Sequence, residues 1–224
     1  MTIRALLADL PNGMRLRADA LRQRRPPLAW QGGDAAPVVL LPGTYETWHL
    51  LGPVGAVLHA DGHPVHVIET IGANSRPIPW VAAEVGRVLV ERDLRGAVLV
   101  AHSKGGIIGK QLLVEELARP EGDRRVRHLV AIAAPFAGSR MARLVPAGAL
   151  RAFRPGDPLL ARLAAERAAD ARITSVYPRV DPHVPEGSHL PDAENIEIDV
   201  VGHFRVLRDP ATVAAVRGVV ARVA

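Results

Sequence analysis

The chain has 224 residues, 48 % of them hydrophobic and 23 % charged, with a formal charge of +5 and no cysteine. That balance is ordinary for a globular protein and excludes disordered, collagenous and coiled-coil chains. The missing cysteine removes disulfide scaffolds, thiolate metal sites, iron–sulfur clusters and cysteine nucleophiles together. No apolar run reaches the roughly 18 residues that a membrane span needs.

Residues 1–36 read as an N-terminal helical arm and linker. Ile3, Leu6, Leu7, Leu10 and Met14 recur at helical spacing, interrupted by Pro11 and Gly13, and RRPPLAWQGGDAAP then reads as connector. The arm lacks the continuous apolar core and small-residue cleavage site of a secretory signal, so a cytoplasmic location is expected. From residue 37 to 224 short apolar runs alternate with longer helical patterns. PVVLLP precedes a helix over 49–60, PVHVIE one over 80–93, and GAVLVA one over 105–118. RHLVAIAA is followed by a region with a helix over 157–170, then come RITSVY, NIEIDV and a last helix over 210–223. Nearly continuous Val, Ile, Leu and Ala in the strands implies burial on both faces. The chain is therefore expected to form an α/β fold, about six mostly parallel strands flanked by helices.

In an open parallel sheet, ligands sit beyond the carboxyl ends of the strands. The loop after GAVLVA reads Ala101-His102-Ser103-Lys104-Gly105-Gly106. Small residues on either side of Ser103 suit a sharp strand-to-helix turn that lifts the hydroxyl off the sheet beside a helix N-terminus. A serine nucleophile needs a base and an orienting acid. Of nine histidines, His63 and His128 begin strands, His66 lies within one and His59 lies within a helix. His102 is expected to pack beside the nucleophile. His203, after NIEIDV, has the right place for the base, with His183 and His189 in a neighbouring loop as alternatives. Asp181, between Pro178 and Pro182, suits the acid; Asp192, Glu194 and Glu197 are poorer placed. Gly43 in the first strand's loop makes the Thr44 N–H a candidate oxyanion donor beside the Lys104 N–H. Lys104 itself opposes the helix dipole; pairing with a carboxylate, or service to an anionic substrate group, would account for it.

VVLLPGTYETW, VLVAHSKGG, HLVAIAAPFAGS, ITSVYPRVDPHVP and IEIDVVGHFRVL, together spanning residues 37 to 210, resemble the α/β-hydrolase superfamily, and among it the small bacterial lipases and esterases. The resemblance implies Ser103, Asp181 and His203 as a catalytic triad, with the Thr44 and Lys104 N–H groups as the oxyanion hole. It departs from the family pattern at Pro42, Ala101 and Lys104. A small or absent cap is expected over residues 135–171. DPHVPEGSHLPDAE matches no rigid zinc spacing, and neither a metal nor a cofactor is expected. The implied activity is cleavage of a small-molecule ester or lipid through an acyl-enzyme. An acyltransferase on the same triad, or a non-catalytic binding protein of the same fold, are the alternatives.

The positive charge raises nucleic acid as a partner. Lys104 and Lys110 are the only lysines, the arginines are scattered among acids, and aromatics make up 4 % of the chain. A nucleic-acid footprint would be concentrated on one face, so no such partner is expected.

Overall fold

The computed structural model describes residues 25–143 and 148–224. Of the arm and linker expected over residues 1–36, residues 1–24 lie outside them. Six strands form one wholly parallel sheet: β1 (Val38–Leu41), β2 (Val65–Val67), β3 (Ala97–His102), β4 (Val126–Ile132), β5 (Ile173–Val180) and β6 (Glu194–Val201), in the order β2-β1-β3-β4-β5-β6. The six runs singled out in the sequence supply these six strands. Five α-helices cover it among the described residues: α1 (Gly52–Ala60), α2 (Ile78–Glu91), α3 (Lys104–Leu117), α4 (Pro158–Ala165) and α5 (Pro210–Val223).

Side chains of the central strands alternate between two cores. Leu99 and Ala101 of β3 join Val81, Val85, Ile108 and Leu112 of α2 and α3. Val98 and Val100 join Val54, Leu58, Val216 and Val220 of α1 and α5 on the opposite face. Period-two alternation in a strand apolar at every position therefore feeds both layers. The edge strand β6 departs from this pattern: Ile198 and Val200 are buried while Glu197, Asp199 and Val201 are exposed. An edge strand has one covered face, and its sequence alternates accordingly.

The region over 157–170 departs from the expected single helix. α4 starts at Pro158, capped by the Asp157 side chain, and ends at Ala165, after which Arg167–Arg172 continues as 3-10 turns. The whole insert between β4 and β5 thus carries an eight-residue α-helix and short 3-10 turns among the described residues, too little for a large lid. The stretch read as connector packs on the body. Trp30 is buried with its ring 5.4 Å from that of Trp48, Ala35 N–H donates to the Gly62 carbonyl, and His63 Nδ1 lies 2.8 Å from the Ala36 carbonyl.

Candidate active site

Three strand ends bring the chemistry-bearing residues to one edge of the sheet. Ser103 follows β3 directly with φ 51° and ψ −119°, a left-handed backbone that an L-residue holds only when its surroundings impose it. Those surroundings are specific. Ser103 N–H donates to the Ile132 carbonyl of β4 at 2.9 Å. A Cβ on Gly105 would stand 2.1 Å from the Leu41 carbonyl oxygen, and one on Gly106 would stand 2.4 Å from Ala134 Cβ. The small residues after the serine thus let α3 pack against β1 and the β4 loop. At Gly105 the closest approach is to the end of the neighbouring strand β1.

Asp181 and His203 are aligned by the last two strands. Val180 pairs with Val201, and the Gly202 N–H donates to the Val180 carbonyl at 3.0 Å. Asp181 and His203 are the next side chains on each side of that stitch. The register shifts between Pro178 and Val180, an irregularity of the kind that re-aims a side chain at a sheet edge. His203 Nδ1–H donates to Asp181 Oδ2 at 2.7 Å, both groups being buried. The other carboxylate oxygen accepts the His183 and Val184 N–H groups at 2.8 and 2.9 Å. Burial pushes the Asp181 carboxyl upward, but the adjacent imidazole and these hydrogen bonds outweigh it and hold its pKa below the usual carboxylate value.

His102 does more than pack. Its Nδ1 lies 2.8 Å from Glu46 Oε2 and its Nε2 lies 3.2 Å from the His203 carbonyl oxygen, with the ring fully buried. Both ring nitrogens thus face oxygen atoms, one of a carboxylate and one of the backbone. Glu46 is a residue that the sequence reading passed over. Its Oε2 also accepts the Gly43 N–H at 2.6 Å, and it is 3 % exposed. A Cβ on Gly43 would stand 2.6 Å from that carboxylate, so a side chain there would displace Glu46 from its place over the loop. One carboxylate therefore ties the loop that holds Thr44 to the residue before Ser103, and through His102 to the backbone of His203. The only hint in the sequence is an acid three residues after a turn glycine, a pattern found in many ordinary turns.

Among the described residues Lys104 has no carboxylate partner. Its ammonium donates to the Asn74 and Arg76 carbonyls at 2.8 and 2.5 Å. Asn74 in turn donates from Nδ2 to the Pro42 carbonyl at 2.6 Å. The lysine thus fastens the loop after β2 to the elbow, which explains a cation at a helix N-terminus better than ion pairing does. Burial pushes its pKa down to about 8.

The remaining sequence candidates have other partners. Asp192 pairs with Arg167 and Glu194 with Arg222, and Glu197 is exposed on β6. His189 lines a cavity with Phe136, Leu160 and Leu190. The His183 ring lies 5.0 Å from that of His203, and the His183 backbone N–H donates to Asp181. Among the described residues no group of three or more His, Asp or Glu side chains could hold a metal ion, and no helix is long and apolar enough to cross a membrane.

No protein-family model matches the sequence, and no curated protein matches it. Solved structures do. A carboxylesterase from the thaumarchaeon Nitrososphaera gargenis matches at a TM-score of 0.61 and 13 % identity, over 85 % of this chain and 92 % of its own. Bacillus licheniformis lipase BlEst2 in its mature form matches at 0.62 and 14 %, over 88 % and 94 %. A monoacylglycerol lipase of Paleococcus ferrophilus matches at 0.61 and 13 %, over 85 % and 97 %.

Proposed function

We propose, from the α/β-hydrolase fold that the chain carries, that it is a serine hydrolase acting on carboxylic esters through an acyl-enzyme. The observation that carries this reading is the buried Asp181–His203 hydrogen bond of 2.7 Å at the same sheet edge as a serine in a strained, left-handed elbow. A carboxylate on Nδ1 fixes the tautomer in which Nε2 carries the lone pair that takes a proton, the arrangement that makes a serine hydroxyl nucleophilic. Carboxylesterase and lipase activities among the similar structures point the same way.

In this mechanism Ser103 Oγ attacks the acyl carbonyl as His203 Nε2 takes its proton. The developing oxyanion is held by the Thr44 and Lys104 N–H groups, and Asp181 stabilises the imidazolium. His203 then protonates the departing alcohol, leaving Ser103 acylated. A water deprotonated by the same imidazole releases the acid. No step calls for a cofactor or metal.

A fluorophosphonate probe tests the assignment. It should label Ser103, and Ser103→Ala should lose both the label and p-nitrophenyl ester turnover. Turnover that survives in a folded Ser103→Ala variant overturns the reading.

A further inference from the structure

Beside the elbow, at the same carboxyl edge, lies an open cavity of about 680 Å³. Its walls come from three separated parts of the chain: the loop after β2, the first residue of α3, and the insert between β4 and β5. Each part contributes positive charge. Among the described residues Arg76, Lys104, Arg151 and Arg154 line it, against a single carboxylate, Asp157. That carboxylate already accepts the Leu159 N–H at 2.9 Å as the cap of α4.

Two of these cations are held in place rather than left to solvent. The Arg76 guanidinium stacks over the Trp80 ring at 5.5 Å, which still leaves its N–H edge able to meet an anion. The Lys104 ammonium is buried in the wall, with two of its three donors spent on backbone carbonyls. Its charge therefore acts on the cavity through protein rather than through bulk water. A cleft lined by one sign of charge focuses its field and concentrates ligands of the other sign.

Resting on the esterase reading above, we propose that this cavity takes the anionic end of the substrate. The preferred ester then carries a second, negatively charged group, a carboxylate or a phosphate, which sits among Arg76, Arg151 and Arg154 while the acyl carbonyl lies at Ser103. Neutral esters lack this anchor.

The test compares two matched pairs on the purified full chain. p-Nitrophenyl valerate against p-nitrophenyl hemiglutarate places the anion on the acyl side. 1-Butyrylglycerol against 1-butyrylglycerol 3-phosphate places it on the alcohol side. In at least one pair kcat/KM favours the anionic member by about tenfold at low ionic strength, a margin that shrinks as salt screens it. In an Arg76→Gln/Arg151→Gln variant the anionic-to-neutral ratio falls towards one. Equal or better turnover of the neutral member in both pairs overturns the inference and leaves the hydrolase reading standing. So does a preference that survives both salt and the double substitution. If no ester is cleaved and the phosphonate leaves Ser103 unlabelled, the hydrolase reading falls and this inference with it.

Discussion

The carboxylate of Glu46 stands to His102 as that of Asp181 stands to His203: each accepts from a buried imidazole Nδ1, at 2.8 and 2.7 Å. The two rings are themselves 4.7 Å apart. One pair belongs to the proposed proton relay. The other joins the loop after β1 to the residue before Ser103, which under the proposed mechanism makes Glu46 a positioning residue.

Replacing Glu46 separates these roles. Glu46→Gln keeps an acceptor for the Gly43 N–H but loses the negative charge beside His102. Its kcat is expected to fall about 10- to 100-fold with KM little changed, because the loop shifts where charge develops in the transition state. Glu46→Ala leaves a buried ring and a backbone N–H unsatisfied and costs about 2–4 kcal/mol of stability. Steady-state kinetics on a p-nitrophenyl ester and denaturant melts measure both.

Asp181→Asn preserves shape but presents an amide to His203. Loss of the fixed tautomer lowers kcat by about 10³–10⁴-fold. The stability consequence has its own sign. Asp181 has a lower pKa folded than its ordinary value of 3.8. Its contribution is therefore present above that value and is lost as pH falls through the lower folded one. Wild type should lose its advantage over Asp181→Asn below about pH 4 in acid-denaturation curves.

Lys104 gives the opposite kind of pH effect. Its ordinary pKa of 10.5 drops to about 8 in the folded chain. Between those values the unfolded chain binds the proton more tightly, so stability from this group rises with pH across that window. Relative to Lys104→Met, wild type should gain in Tm as the buffer is raised from about 8 towards 10. A flat difference across the window would contradict the burial of a charged ammonium.

Two glycine-to-alanine changes in helices should have opposite outcomes. Gly86 in α2 has its nearest neighbour, Leu112 Cδ1, 3.5 Å from a built Cβ, an ordinary contact. Gly86→Ala should stabilise by about 0.5–1 kcal/mol through helix propensity. Gly105→Ala drives a methyl into the Leu41 carbonyl and should destabilise by about 3 kcal/mol or more, measurable in the same urea titration.

Much of the architecture was legible because local rules act over a few residues. Residues 38–41, 97–101 and 129–132 are apolar and buried at every position, which only a strand covered on both faces can use. α5 over 210–223 matched its sequence boundaries because Asp209 caps a proline-led helix. α4 ended early at Ala165, where no glycine or proline marks the break and where the insert turns back towards the sheet.

The amino-acid order by itself determined which side chains could reach the carboxyl edge: an elbow serine after β3, an acid after β5 and a histidine after β6, each set by where a strand ends. Only the tertiary structure decided what surrounds them. Glu46, His102, Asn74 and Lys104 are separated by up to 58 positions in the chain, and no local pattern pairs them. Packing of the first loop against the elbow removed water from these groups and so forced each buried donor to find a partner, which turned ordinary turn residues into the frame of the site.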